Sequence, residues 1–125
     1  MRKLPDVVTQ AWENREGPVV FTTVDTNGMP NAIYATCVKL IGGDKFVIAD
    51  NYFSKTRKNI LSKSKGAVLF IDKIGTSYQI KGPIEYDMKG EAFADMKTWL
   101  DPKFPGHAAA AVCASEVYSG SERLA

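Results

Sequence analysis

The feature that most limits how this chain can fold is the close spacing of its turn motifs. Glycine, asparagine and proline cluster at 26–30 and glycine at 42–44, and each cluster lies between short segments rich in β-branched or aromatic residues. Such clusters favour tight turns, whereas β-branched and aromatic residues favour strands. Neighbouring strands joined by a tight turn run antiparallel. The chain is therefore predicted to form a largely antiparallel sheet.

Six strands and three helices are predicted along the chain. The strands cover 19–25, 31–41, 45–50, 67–72, 76–87 and 108–118, and Gly82-Pro83 is expected to bend the fifth. Apolar residues at helical spacing predict helices over 5–15, 54–65 and 92–100. Residues 119–125 are predicted to be a polar tail. Because a small open sheet would leave costly free edges, a closed antiparallel barrel with peripheral helices is expected, as a single domain over 1–125.

Composition and charge exclude several functional classes. The net charge is only +2, which is too mild to indicate a nucleic-acid or membrane partner. No apolar run approaches the length of a membrane span, about 18 residues, and no apolar segment follows the basic N-terminus, so a cytoplasmic location is expected. Cys37 and Cys113 lie far apart without metal-ligand spacing, so neither a metal site nor a disulfide is predicted.

The segment 54–65 carries an unusual charge pattern for the start of a helix. Ser54 is a plausible N-cap, yet the first turn is basic, with Lys55 and Arg57, and the segment contains no acid. A helix N-terminus carries partial positive charge, so acids are normally favoured there. A bound anion would resolve the conflict, with Lys55 and Thr56 converging on a phosphate. A solvated basic helix without a ligand is the alternative interpretation.

Three short motifs occur in a defined order along the chain. Residues 34–39, Tyr-Ala-Thr-Cys-Val-Lys, run along the second predicted strand. Residues 51–56, Asn-Tyr-Phe-Ser-Lys-Thr, follow the third strand, and residues 78–82, Tyr-Gln-Ile-Lys-Gly, belong to the fifth. In this order and spacing they resemble the pyridoxamine 5′-phosphate oxidase-like, FMN-binding split-barrel family, over about residues 5 to 118. The resemblance implies a six-stranded antiparallel split β-barrel that binds FMN.

The same resemblance implies roles for particular residues. The FMN phosphate would be held where the second helix begins, and the ring would lie against strand residues 34–36 and 49–51. A two-fold homodimer is also implied, since one small barrel cannot enclose a planar tricyclic ring whereas two can sandwich it. The predicted cofactor-binding residues are Tyr34, Ala35, Thr36, Lys39, Ala49, Asp50, Asn51, Lys55, Thr56, Arg57 and Gln79.

Departures from the family pattern shape the expected activity. The oxidases carry an arginine at the position of Tyr34 and a longer C-terminal region, so the small FMN-binding proteins of the family are the closer likeness. The first hypothesis is an FMN-dependent oxidoreductase acting on a small molecule or a nicotinamide donor, with no catalytic side chain assigned because the redox chemistry belongs to the cofactor. The second is a non-enzymatic FMN carrier or electron-transfer protein with a redox-protein partner. A small-barrel nucleic-acid binder is disfavoured, because the basic residues cluster on a helix rather than among strand aromatics.

Four further residues have ordinary structural interpretations. His107 is expected in a surface loop, because no acidic or cysteine partner lies near it in the sequence. Trp12 and Trp99 lie on apolar helix faces and are expected in the core, with a flavin edge across a subunit interface as the alternative for either. Cys37 lies on a strand with no adjacent base, so it is not predicted to be a nucleophile.

Overall fold

Ten short strands form two antiparallel sheets in the computed structural model, which describes residues 2–125, and three helices pack against them. The elements follow one another along the chain in the order given next. They are α1 (Asp6–Glu13), β1 (Arg15–Val24), β2 (Pro30–Ala35), β3 (Val38–Ile41), β4 (Lys45–Asp50), α2 (Lys55–Leu61), β5 (Gly66–Asp72), β6 (Ser77–Gly82), β7 (Ile84–Asp87), α3 (Glu91–Trp99), β8 (Ala108–Cys113), β9 (Glu116–Ser119) and β10 (Glu122–Arg123).

The two sheets differ in size. The larger has the strand order β10-β9-β6-β5-β1-β2, and the smaller has the order β3-β4-β8-β7. Every strand pair in both sheets is antiparallel. The prediction of a mainly antiparallel β fold with peripheral helices is confirmed. The prediction of six strands in a closed barrel is wrong in its detail, because residues 2–125 form ten strands in two sheets that do not close.

Three of the four extra strands arise because three predicted strands each break and pass from one sheet to the other. Residues 31–41 become β2 and β3, residues 76–87 become β6 and β7, and residues 108–118 become β8 and β9. Gly82 marks one of these crossings, since a Cβ atom added there would lie 1.7 Å from the carbonyl oxygen of Cys113. Only glycine permits two backbones to approach this closely, so the strand bends where its sequence has no side chain.

Both ends of the chain depart from the predicted elements. The first strand starts at Arg15, and its pairing with β5 shifts register between Glu16 and Val20, so Gly17-Pro18 forms an irregularity within a strand rather than a helix stop. The predicted tail at 119–125 contains β10, which pairs back on β9. The carboxyl-terminal Leu124 packs against the core.

The main core lies between the sheets, and a second apolar cluster lies beneath α3. The Trp12 indole is 3% exposed and meets Phe46 and Phe70 edge-on, with ring centroids 4.9 and 5.1 Å away, which confirms its predicted core position. The second cluster uses the small side chains of β8 to bring the helix close to the sheet. It consists of Val47, Ala49, Met96, Leu100, Ala109 and Ala111, with Trp99 partly buried against them.

Among residues 2–125, no helix combines the length and the apolar character needed to cross a membrane.

Candidate functional site

The turn between β4 and α2 is the centre of the candidate site. Strand β4 is buried from Phe46 to Asp50, and the chain then emerges through residues 51–54 before α2 begins at Lys55. Ser54 occupies the N-cap position, but its side chain makes no capping hydrogen bond, and the first helical turn contains no acid. The conflict seen in the sequence therefore persists in the fold, since nothing in the first turn offsets the positive end of the helix.

A buried carboxylate anchors this turn from below. Asp50 has no exposed surface, and its Oδ2 and Oδ1 atoms accept bonds from Arg57 Nε at 2.8 Å and Arg57 Nη2 at 2.9 Å. The Phe53 N–H donates to Oδ1 at 3.0 Å, and the Tyr86 hydroxyl donates to Oδ2. Each carboxylate oxygen thus accepts two hydrogen bonds, and the donors come from the turn, from α2 and from β7. A buried charged group requires such hydrogen-bond partners.

The contacts with Asp50 also shift the pKa values of Arg57 and Tyr86. The hydrogen bonds that Arg57 donates to Asp50 hold the pKa of the Arg57 guanidinium above its already high ordinary value. Burial, followed by the hydrogen bond to Asp50, raises the pKa of the Tyr86 phenol above its ordinary value. Both groups therefore keep their protons under ordinary conditions. The three hydrogen-bonded residues Asp50, Arg57 and Tyr86 are here called the anchor cluster.

The basic residues of α2 point to two different sides. Lys55, Lys58 and Ser62 line a cavity of about 410 Å³ between α2 and the β1–β2 turn, here called the basic cavity. Arg57, two positions after Lys55, instead faces Asp50 and Tyr86. The basic cavity is completed by Asp25, Thr26, Asn27, Met29, Pro30, Asn31 and Asn59.

Two lysines and one carboxylate, that of Asp25, line the basic cavity, which leaves it a net positive charge. The Asp25 carboxylate accepts bonds from the N–H groups of Asn27 and Met29, at 2.9 and 2.8 Å, so its Oδ1 atom is committed to its own turn. Thr56 is 2% exposed, and its hydroxyl oxygen accepts a bond from Asn31 Nδ2 at 3.0 Å. Lys55 makes no ion pair within residues 2–125. The cavity can therefore attract an anion.

A second opening follows the first along β2. It is a groove of about 340 Å³ between the end of β2 and the β4–α2 turn, here called the aromatic groove. Tyr34 and Tyr52 stand at its rim with 77% and 75% of their surface exposed. Its lining residues are Ile33, Tyr34, Ala35, Thr36, Cys37, Ala49, Asn51, Tyr52, Phe53 and Phe104.

The structure brings most of the predicted site residues together. Five of them line the aromatic groove: Tyr34, Ala35, Thr36, Ala49 and Asn51. Lys55 lines the neighbouring basic cavity, and Thr56 lies just beneath it through its bond to Asn31. Strand β2 contributes residues to both openings, and the turn that lines the aromatic groove leads directly into Lys55 of the basic cavity, so the two openings are neighbours along the chain.

Four predicted site residues lie elsewhere. Asp50 and Arg57 are paired with each other in the anchor cluster. Lys39 is exposed on β3 and lines neither opening. Gln79 lies on β6, in a cross-strand row that reaches Tyr34 through Leu69 and Val20, so three strand spacings, about 14 Å, separate the two. Their roles toward a ligand stay predictions.

Several residues of the site were not predicted. Asn31 and Phe104 join it because of strand pairing and the loop after α3, which no local pattern encodes, whereas Phe53 lies within the motif at 51–56. Tyr52 belongs to the motif at 51–56, and its large exposed ring directly after a buried strand was a signal that could have been used. Tyr86 could not be foreseen, because its partner Asp50 lies 36 residues earlier in the chain.

The remaining candidate residues have limited chemistry here. His107 is exposed, and its N–H donates to the Asp50 carbonyl at 2.8 Å. Cys113 is buried, and burial, reinforced by its bond to Glu85, raises the pKa of its thiol to about 11, so it stays protonated. The lining of the aromatic groove contains no carboxylate and no imidazole. The titratable side chains in this lining are the phenols of Tyr34 and Tyr52 and the thiol of Cys37.

What the arrangement provides is a place for a planar molecule with an anionic group. Exposed aromatic rings and backbone edges of two strands suit a flat ring, and the lysines of the basic cavity suit a phosphate. The fold and site together define an antiparallel two-sheet β protein with a ligand surface at a strand-to-helix turn.

Comparison with known proteins gives this class its family. Residues 7–123 match the sequence model of the family described as pyridoxamine 5′-phosphate oxidase. The chain belongs to that family, as the resemblance of its motifs predicted. It is also 30% identical over 123 residues to an uncharacterised protein of Methanocaldococcus jannaschii, with 94% of this chain and 80% of the relative covered.

Solved structures share the fold. The HupZ protein of Group A Streptococcus superposes with a TM-score of 0.84 at 21% identity, covering 98% of both chains. An FMN-binding protein from Syntrophomonas wolfei superposes with a TM-score of 0.75 at 20% identity, covering 96% of this chain and 85% of the other. At these identities the likeness establishes the architecture alone.

Proposed function

We propose that this protein is a flavoprotein that binds FMN, with the phosphate in the basic cavity and the ring in the aromatic groove. The observation that carries the proposal is the placement of these two openings one after the other along β2, with the β4–α2 turn lining the aromatic groove and the start of α2 lining the basic cavity. A basic site followed by an aromatic one matches a molecule that has a phosphate at one end and a flat ring at the other. Membership of the family supports the same ligand.

The side chains would divide the work by their chemistry. Lys55, exposed and without an acidic partner in residues 2–125, would supply a charge-assisted hydrogen bond to the phosphate. Asn31 and Thr56, already bonded to each other, would fix the floor of the basic cavity. The strand residues 34–36 would offer backbone groups along the ring, and Tyr52 would cover it from the turn. FMN itself would supply the electron or hydride chemistry.

An FMN-dependent oxidoreductase acting on a small molecule or a nicotinamide donor is the function we favour for the bound flavin. The aromatic groove contains no carboxylate or imidazole, and hydride transfer to a flavin requires neither. A carrier or electron-transfer role is the alternative, and turnover distinguishes the two. Reduction of the bound flavin by NADH or NADPH, followed by reoxidation, would support the enzyme; a flavin that only a protein donor reduces would support the carrier.

The cofactor itself is tested by binding. The purified protein is expected to show a flavin absorption spectrum, and fluorescence titration is expected to give a much lower Kd for FMN than for riboflavin, which lacks the phosphate. Equal Kd values for the two would contradict a phosphate site. A spectrum dominated by the Soret band of haem would contradict a flavin.

We also propose a two-fold homodimer in which the outer face of the larger sheet is covered. That face carries Val20, Leu69 and Ile71, and the last two are 39% and 44% exposed. Tyr34, Val20, Leu69 and Gln79 stand side by side in one cross-strand row. A two-fold axis through the middle of this row would place Gln79 of one protomer opposite Tyr34 of the other, at the edge of the aromatic groove.

Light scattering tests this assembly. The wild type is expected to be a dimer, and Leu69→Asp, which places a charge in the middle of the row, is expected to produce monomers that bind FMN more weakly. Ile74→Asp is the matched control, because Ile74 is 87% exposed on the turn between β5 and β6. A wild-type monomer that binds FMN tightly would overturn the dimer while leaving the cofactor assignment in place.

A further inference from the structure

The anchor cluster has no part in either opening, although two of its members lie in the segment that forms both. Asp50 ends β4 and Arg57 lies on α2, and the turn between them supplies Asn51, Tyr52 and Phe53 to the aromatic groove. Neither Asp50, Arg57 nor Tyr86 lines the basic cavity or the aromatic groove. The cluster therefore contacts the frame of the candidate site and not its surface.

The contacts of Asp50 fix both ends of this turn. Its carboxylate receives the Phe53 N–H inside the turn and the Arg57 guanidinium one helical turn later. The Tyr86 hydroxyl, from a strand of the smaller sheet, adds a third direction of restraint, and Arg57 Nε also lies 3.2 Å from that hydroxyl. A carboxylate with no exposed surface, held from three elements, has little freedom to move.

The direction of Arg57 decides what its charge can do. Two of its nitrogens, Nε and Nη2, are directed at Asp50, on the side of α2 away from the basic cavity. Lys55 and Lys58 line that cavity instead. The guanidinium thus forms its ion pair with the buried carboxylate. Its planar, forked arrangement of N–H groups suits a carboxylate, because the two can form two parallel hydrogen bonds.

From this geometry we infer that Arg57 and Tyr86 are positioning residues, which act through Asp50 to hold the β4–α2 turn so that Lys55 meets a phosphate. The inference rests on the proposed function for its ligand. It assigns Arg57 a different task from a phosphate contact, and it gives Tyr86, a residue outside both openings, an influence on phosphate binding.

Two variants test the inference without leaving a buried charge alone. Tyr86→Phe removes one hydroxyl. The double variant with Asp50→Asn and Arg57→Gln, here called the charge-free pair, removes both charges of the ion pair together. Tyr118→Phe is the matched control, because Tyr118 also donates to a carboxylate, that of Glu116, and lines neither opening. Because Tyr118 lies beside Gln79 on the proposed dimer face, light scattering first establishes that this variant assembles as the wild type does. Circular dichroism establishes that each variant is folded.

The first measurement is amide hydrogen exchange in the protein without added flavin. Residues 51–55 are expected to exchange faster in Tyr86→Phe and in the charge-free pair than in the wild type and in Tyr118→Phe. Strand β4 is expected to stay protected in all four proteins. Unchanged exchange at 51–55 would overturn the inference whatever the protein binds.

The second measurement is a titration with FMN and with riboflavin. Tyr86→Phe and the charge-free pair are expected to weaken FMN binding about fivefold or more, a coupling on the order of 1 kcal/mol, and to leave riboflavin binding nearly unchanged. Because the effect passes through Lys55, either change is expected to do little in a Lys55→Ala background. Losses that add to that of Lys55→Ala would show that Arg57 contacts the phosphate itself, and full FMN affinity in Tyr86→Phe would show that the cluster is only structural.

The two measurements separate failure of this inference from failure of the proposed function. A wild type that does not prefer FMN over riboflavin would refute the phosphate site, and the inference about binding would fall with it. The exchange data would still decide whether the cluster holds the turn. A wild type that prefers FMN, with variants that bind it equally well, would refute the inference alone.

Discussion

Helices α2 and α3 each follow a strand directly in the chain, but their N-terminal ends are built in opposite ways. At α3, the Asp87 carboxylate accepts the N–H groups of Gly90 at 2.6 Å, Phe93 at 3.0 Å and Lys89 at 3.1 Å, and Glu91 adds an acid in the first turn. These bonds lower the pKa of Asp87 below its ordinary value. The start of α3 is therefore neutralised by its own chain.

The start of α2 has none of these features. Its N-cap position is Ser54, whose side chain makes no capping bond, and its first turn is basic. The nearest carboxylate, Asp50, is turned inward to Arg57 and receives only Phe53 from the backbone of the turn. The same fold thus builds one helix by the usual rules and one against them, and the exception lies beside the basic cavity. Local rules are broken most often where a protein binds something.

Arg57→Ala is expected to produce the largest effect, a loss of about 3 kcal/mol of unfolding free energy in urea denaturation, because Asp50 would stay buried without its partner. The control is Lys58→Ala on the same helix, which makes no ion pair in residues 2–125 and should change stability by less than about 0.5 kcal/mol. Equal losses in both variants would mean that the helix depends on its general charge and not on the buried ion pair.

Lys55→Ala is expected to weaken FMN binding about 10- to 100-fold, the value of one charge-assisted hydrogen bond of about 1.5–3 kcal/mol. Lys63 lies beyond the end of α2, so Lys63→Ala should change the Kd for FMN little. Without FMN, Lys55→Ala should be as stable as the wild type or slightly more stable, because a positive charge at a helix N-terminus is unfavourable. Equal small losses of affinity in both variants would place the phosphate elsewhere.

Asp87→Ala is expected to reduce the unfolding free energy by about 1–2 kcal/mol at neutral pH, because three backbone N–H groups lose their acceptor. The pKa of Asp87 is lower in the folded protein, so its contribution is present above its ordinary pKa of 3.8 and is lost as the pH falls through the folded-state value. Denaturation at pH 7 and pH 2 measures this. A difference between the two proteins that persists unchanged at pH 2 would contradict the assignment.

Ser54→Ala is expected to have the smallest effect, less than about 0.5 kcal/mol, although removal of an N-cap serine usually costs about 1 kcal/mol. The reason is that the Ser54 side chain makes no capping bond. Chemical denaturation in the absence of flavin provides the measurement. A full capping loss at this position would make the starts of α2 and α3 alike and would remove the contrast between them.

The sequence was a good guide wherever structure depends on neighbouring residues. The turns at 26–30 and 42–44, the strand at Lys45–Asp50 and the helix that begins after Ser54 all lie where their patterns predicted. The start of α2 also held the most useful functional signal, because a charge pattern can be read without knowing the fold. The five predicted residues that line the aromatic groove, Tyr34, Ala35, Thr36, Ala49 and Asn51, followed from the family resemblance.

What the sequence could not supply depends on distant residues. The break between β2 and β3 carries no glycine or proline, and it is set by pairing with β1 on one side and with β4 on the other. The pairing of Asp50 with Arg57 and Tyr86 requires β7 to lie near the β4–α2 turn, which follows only from the order of the smaller sheet. Local patterns contain no information on either.

The three strand crossings bear on how the molecule loses its structure. At each crossing a few residues connect a strand of one sheet directly to a strand of the other: β2 to β3, β6 to β7 and β8 to β9. Because these segments are continuous, disruption of either sheet would also disturb three strands of the other sheet. Unfolding is expected to be a single cooperative transition, in which the aromatic groove and the core disappear together.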